Sequence, residues 1–212
     1  MIVKLSDFNE QFRTRLYNTI KEIENQSVAE VVVIIRSSSS FYRDIALWSG
    51  FVLQVIITMF MLFSPIVFDP YVISFTSLLS FLIGFLLVSV INPIKRLLVP
   101  TKQKNSAVEL YARALFQKGK IYYTKRHTGL LIFVSLFERK VFFVPDIGVI
   151  TAIPEHLLKE IENKFNNIFN GDDFVTEALL RELVELKILL SEFLPPVEND
   201  INEIPDDLEI EL

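Results

Sequence analysis

Cysteine is absent from the 212 residues. That excludes disulfides, zinc–thiolate centres, iron–sulfur clusters and thiol nucleophiles. Histidine occurs only twice, at His127 and His156, so a multi-histidine metal site is excluded too. Glycine is scarce, with six residues, and the chain has no phosphate-cradling glycine loop, HExxH helix or Ser-His-Asp arrangement. Charge is missing from one long stretch: between Ile45 and Ile94 the only charged side chain is Asp69. Apolar residues make up 51% of the chain and charged residues 22%, with a mean hydropathy of +0.40. Soluble domains reach a similar apolar fraction at a mean hydropathy usually below zero. An ordinary soluble globular protein is therefore excluded, and so is disorder over most of the chain.

The charges that are present come in blocks. Residues 95–140 carry a net +9 and residues 141–212 a net -13, which a total of -5 conceals. A basic block beside an apolar run reads as a membrane topology signal. The acidic block ends in a stretch from Glu198 to Glu211 with seven acids and no base, the pattern of a solvated or interacting tail. Folding of that tail onto the basic block is a further expectation, since opposite blocks attract within a Debye length. The acidic total and the shortness of the basic stretch argue against nucleic acid as a partner.

The uncharged run splits in two. Ile45–Phe68 spans 24 residues and Tyr71–Ile91 spans 21, and roughly 20 helical residues cross a bilayer core. Ser64, Pro65, Asp69 and Pro70 between them suit a turn. The expectation is a transmembrane helical hairpin over residues 44–94, anchored in the lipid bilayer. Arg36 and Arg43 precede it and Lys95, Arg96, Lys102 and Lys104 follow it, whereas the turn has no base. The positive-inside rule then places both termini in the cytoplasm, and Pro93–Pro100 along the interface. Neither span holds an ionisable residue, so anchor is favoured over channel or pump. Ser80 and Gly84, four apart, suit close helix packing.

Either side of the hairpin the sequence alternates helix and strand. Phe8, Phe12, Leu16, Ile20 and Ile23 form one helical stripe over residues 6–25, with Ser6 as expected cap. Val31–Ile35 is β-branched without alternation, the mark of a strand buried on both faces. Ser106 with Glu109 makes a capping-box pattern for a helix that Gly119 ends. Leu130–Phe137 and Val141–Val144 read as strands joined by an exposed Glu138-Arg139 turn. Two more helices follow, one after Pro154 and one capped by Asp172 or Asp173, the latter with Phe174 facing inward. The first strand is too apolar to stand without the later two. A single α/β domain of residues 1–43 and 95–194, split by the hairpin and followed by an acidic tail of residues 195–212, is expected.

Four stretches carry a family resemblance: Ala29–Ile35 resembles the first strand of TPM domains and Ser40-Phe41-Tyr42-Arg43 the segment after it, and two more are more specific. Thr124-Lys125-Arg126-His127-Thr128-Gly129, the strand after it, Glu138-Arg139, the next strand and Asp146-Ile147-Gly148 together resemble the signature of TPM domains. Asn202-Glu203-Ile204-Pro205-Asp206 is similar to the ending of a membrane-anchored bacterial branch of that family. The resemblance implies an α/β/α sandwich, often associated with a bacterial inner membrane or another membrane. Founding members act in photosystem II repair and in modulating acetylcholine receptors. Phosphatase activity and divalent-metal binding, calcium or magnesium, have been proposed for some members. His127 stands where arginine is common in the family.

The candidate site residues follow. Asp146, at a strand end before Gly148, has the position of a metal ligand or general base, and equally of a turn-forming or capping aspartate. Lys125, Arg126 and His127 form a basic loop able to take a phosphate group or lipid headgroup, or to serve as a solvated turn. The function expected first is a membrane-anchored interaction or assembly module for another membrane protein. A metal-dependent phosphatase built on Asp146 is the alternative.

Overall fold

The structure is a computed structural model that describes residues 7–171, 174–197 and 210–211. Ser6, Asp172 and Asp173, the expected caps, lie outside these residues, as does the tail from Glu198 to Glu209. The elements run α1 (Glu10–Gln26), β1 (Glu30–Arg36), α2 (Arg43–Phe63), α3 (Pro70–Val90), α4 (Asn92–Leu98), α5 (Thr101–Lys118), β2 (Gly129–Ser135), β3 (Lys140–Pro145), α6 (Ile147–Ala152), α7 (Glu155–Asn167), α8 (Val175–Phe193) and β4 (Ile210–Glu211). The chain divides into two compact units, Met1–Ser39 with Asn105–Leu212, and Ser40–Lys104.

The first unit is a mixed α/β sandwich. Its sheet has the order β3-β2-β1-β4. β1 and β2 run parallel with Glu30 opposite Gly129 and Arg36 opposite Ser135, while β2 and β3 form an antiparallel hairpin. The two central strands alternate between two cores. Val31, Val33 and Ile35 of β1, with Leu130, Ile132 and Val134 of β2, meet α1, α6, α7 and α8. Val32, Ile34, Leu131 and Phe133 meet Val108, Ala112 and Phe116 of α5 on the other face. This explains why the β1 run shows no polar alternation: helices cover both faces.

The helices follow their apolar stripes, with corrections at their ends. Asn9 caps α1, its side chain accepting from Phe12 N at 2.9 Å. Arg15 pairs with Glu177, and Glu22 with Lys187 further on, so α1 and α8 run parallel. α5 starts at Thr101, directly after Pro100, rather than at Ser106. Ser106 therefore lies inside the helix, and Glu109 pairs forward with Arg113 at 3.0 Å in place of a capping box. The left-handed residue after α5 is Lys120 (φ 54°), and Gly119 is not in that conformation. Phe174 is 64% exposed, because the buried face of α8 begins with Val175 and Ala178.

α7 also seals one sheet edge. The outward N–H groups of β3 are those of Val141 and Phe143. Asn166 Oδ1 accepts from the first at 2.9 Å and Glu162 Oε1 from the second at 3.2 Å. Pro145, next in the alternation, has no N–H to offer. Burial raises the Glu162 pKa above the ordinary value of 4.5, against the lowering effects of the Phe143 N–H, Lys140 and Lys159. A carboxyl raised in the folded state adds stability below its unfolded value that is lost as pH rises through the folded one. Glu162→Gln keeps the acceptor and removes the charge. It is expected to match or exceed the parent in thermal stability near neutral pH, and to gain less on acidification. Glu162→Leu strands the Phe143 N–H and should cost about 1–3 kcal/mol. Melting curves across pH check both; a Gln variant weaker than the Leu variant would refute the assignment.

The second unit is dominated by two antiparallel, apolar helices. Asp69 caps α3, accepting from Tyr71 N at 2.8 Å, and Pro70 opens the helix. Gly50, Ser80 and Gly84 lie at the α2–α3 contact. Gln54 Nε2 and Thr58 Oγ1 each donate to Ser77 Oγ at 3.1 Å. The outer faces expose Trp48, Phe60, Phe63, Phe75 and Leu78 among many others. Both helices are long and apolar enough to cross a membrane.

Candidate functional site: the Thr124–Gly148 knot

The loop between α5 and β2 is held by its two threonines. Thr124 Oγ1 accepts from Thr128 N at 3.0 Å, and Thr124 O accepts from His127 N at 3.1 Å. Thr128 Oγ1 donates to Val28 O at 2.7 Å, fastening the loop to the chain entering β1. Both threonines are buried, whereas Lys125, Arg126 and His127 between them are exposed. His127 pays for this tight turn with a left-handed backbone, φ 55°, which is uncommon for any side chain other than glycine, asparagine or aspartate.

Asp146 and Gly148 bring the end of β3 against the same loop. Asp146 N donates to Gly129 O and Gly148 N to His127 O, both at 2.8 Å. Asp146 caps the short α6, its Oδ1 accepting from Ile147 N at 2.8 Å. Its Oδ2 is buried and accepts no hydrogen bond among the described residues, and lies 3.4 Å from His127 Nδ1. That ring nitrogen also lies 3.2 Å from Tyr122 O. Two acceptors around Nδ1 favour the tautomer protonated there, which leaves Nε2 as a lone-pair acceptor when the ring is neutral.

The structure thus brings Asp146 and His127 together and sets Lys125 and Arg126 in the same exposed turn. Its chemical reach is that of an imidazole 3.4 Å from a carboxylate and beside two exposed cations: proton transfer at Nε2, or binding of an anion. One carboxylate and one imidazole fall short of the roughly six to eight oxygens a calcium ion takes, and no group of three potential ligands gathers among the described residues.

One polar cluster has no counterpart in the motif reading. Glu138 is buried, not exposed as the turn pattern implied. Its Oε1 accepts from Ser39 N at 3.0 Å and its Oε2 from the Ser135 hydroxyl, while Ser39 Oγ donates to Ser135 Oγ at 3.0 Å. These bonds tie the loop after β1 to the β2–β3 turn. A serine ending an otherwise apolar strand, three residues before a glutamate, is the signal that could have disclosed it.

Comparison with known proteins agrees with this geometry. Residues 92–180 match the family model described as the TPM domain, a stretch that contains the whole Thr124–Gly148 knot. No curated protein sequence matches the chain. Among solved structures, the NMR structure of the BA42 protein from the psychrophilic bacterium Bizionia argentinensis is similar, with a TM-score of 0.59 at 14% identity, covering 98% of each chain. At that identity the likeness concerns the fold alone. Motif, sheet topology and family match converge on one stretch: residues 92–180 are similar to the TPM domain.

Proposed function

We propose that this chain is a membrane-anchored TPM-domain protein whose α/β unit serves as an interaction or assembly module for another membrane protein. The observation that supports it is the exposed apolar surface of α2 and α3, two helices of 21 residues each with Asp69 as the only charge between Asp44 and Lys95. Each measures about 31 Å at the helical rise, the thickness of a bilayer core. The knot supports the second half of the reading. A loop pinned at Thr124 and Thr128 presents Tyr123, Lys125 and Arg126 to solvent in a fixed shape, and Tyr and Arg are enriched among the residues that dominate protein interfaces.

The absence of native cysteine makes the topology directly testable. Val67, 97% exposed in the α2–α3 turn, and Tyr123, 80% exposed in the knot, are each replaced by cysteine in the full chain. In intact cells a membrane-impermeant maleimide is expected to label Val67→Cys and to reach Tyr123→Cys only after lysis. The reverse pattern overturns the orientation, and release of the chain by alkaline carbonate without detergent overturns the anchor. A photo-cross-linker on Tyr123→Cys should then capture a membrane protein.

The Asp146–His127 pair supports a second reading, a phosphatase. Full chain in detergent, given a generic phosphate ester with magnesium, manganese or calcium, tests it. Hydrolysis lost in both Asp146→Asn and His127→Gln, with melting unchanged, would put this reading first.

A further inference from the structure

The two edges of the sheet are treated differently. On β3, α7 satisfies both outward N–H groups and a proline supplies no third, so no further strand can pair there. On β1, Glu30 N turns inward to Thr128 O at 3.2 Å. By strand alternation the N–H groups of Val31, Val33 and Ile35 therefore face the outer edge. Glu24 Oε1 accepts from Val31 N at 3.3 Å, which caps only the start of that edge. Further along, β4 pairs parallel to β1, with Ile210 opposite Val33 and Glu211 opposite Ile34. The chain's own C-terminal residues thus lie where the helices supply no cap.

The route is short. α8 ends beside the entry to β1, Val28 N donating to Leu194 O at 3.0 Å. From Val197 to Ile210 an extended chain can span about 40 Å, more than twice the roughly 17 Å from Val28 to Val33. The end of the sequence, Leu208-Glu209-Ile210-Glu211-Leu212, alternates aliphatic and acidic residues with no proline or glycine. That is the period of a strand, whereas a merely solvated acidic tail needs no such alternation.

We propose that the outer edge of β1 is a strand-addition site for an extended aliphatic–acidic peptide, and that the chain's C-terminus is its occupant within the same molecule. Strand addition draws affinity from main-chain hydrogen bonds and selectivity from alternate side chains. The tail then closes an edge that would otherwise template pairing with other chains.

Hydrogen exchange on the chain in detergent tests this. In a chain ending at Glu203, and in the full chain carrying Ile210→Pro with Glu211→Pro, the amides of Val33 and Ile35 should exchange at least about tenfold faster than in the parent. Those of Ile132 and Phe133 should keep their protection, which shows that the sheet still folds. A synthetic peptide of residues 204–212 should restore protection to the truncated chain, and the same peptide with both prolines should not. Unchanged exchange in both variants, or equal rescue by the proline peptide, overturns the proposal. Protection in the parent that fades on dilution overturns the intramolecular occupant, because the tail would then come from a second copy.

Discussion

Gly129→Ala is expected to cost the α/β unit more than about 3 kcal/mol, enough to unfold a marginal domain. A β-carbon there would sit 2.2 Å from Ile121 O and 3.0 Å from Ile121 Cγ2. The nearer atom is backbone, so no rotamer change relieves the overlap. Ile121 cannot retreat easily: its side chain is buried in the second core and its N–H bonds to Phe116 O at 3.2 Å. Gly129 is fixed from its own side as well, as the first residue of β2, opposite Glu30 and accepting from Asp146 N. Its φ is not in the left-handed region, so the requirement is close approach and not backbone handedness. Gly148→Ala meets the same obstacle from the far side of the loop, with Arg126 O at 2.5 Å and His127 O at 2.6 Å. Its own N–H holds one of those carbonyls in place. Gly119→Ala is the control: its nearest contact, at 3.1 Å, is looser, and a loss under about 1 kcal/mol is expected. Denaturant unfolding of the three variants checks the order. A Gly129→Ala protein within about 1 kcal/mol of the parent would mean that the knot is not packed as described.

That result bears on what the family signature is for. Read as a string, Thr-Lys-Arg-His-Thr-Gly with Asp-Ile-Gly invites a catalytic interpretation. In the fold, four of its members perform visible mechanical tasks. Thr124 and Thr128 close the loop, Gly129 admits the Ile121 carbonyl, and Gly148 admits those of Arg126 and His127. Asp146 Oδ2 and His127 Nε2 are the members whose polar atoms carry no such task among the described residues. The pattern was legible from the sequence; the division of labour within it depends on contacts between loops that no local rule exposes.

The same contrast runs through the fold. β1 was readable because burial on both faces leaves an unbroken apolar run, and the α2–α3 pair because each helix holds a long charge-free stretch. α6 went unread because six residues are too few to show a helical period. The burial of Glu138 was invisible in its own neighbourhood, since Ser38 and Ser39, which cover it, lie about a hundred residues earlier. Pro100 overrode the Ser106 capping pattern, with α5 starting five residues before it. Propensity rules rank possible starts, and the connection leaving α4 chose among them.

Gly50→Leu is expected to separate α2 from α3. On the membrane reading proposed above, the two helices gain nothing from hiding apolar surface against each other, so their association depends on close packing and interhelical hydrogen bonds. At Gly50 a β-carbon would lie 2.8 Å from Phe81 O and 3.1 Å from the Phe81 ring. At Gly84 it would lie 3.0 Å from Gly50 Cα and 3.2 Å from Leu53 Cβ. A leucine at position 50 therefore needs the backbones to part by more than an ångström, which also breaks the bonds from Gln54 and Thr58 to Ser77. The cysteine-free background supplies the readout. Leu53→Cys with Gly84→Cys sets two β-carbons 3.2 Å apart; the shift of a few tenths of an ångström that the new β-carbon's 3.0 Å contact with Gly50 Cα demands brings them into the disulfide range, so mild oxidation of membranes should join them efficiently. Adding Gly50→Leu should abolish that cross-link. Ser77→Ala, which removes hydrogen bonds worth about 0.6 kcal/mol each in a bilayer, should leave it intact. Cross-linking that survives Gly50→Leu would show that small residues do not set the spacing of these helices. Loss with Ser77→Ala alone would transfer the main role from steric fit to the polar cluster.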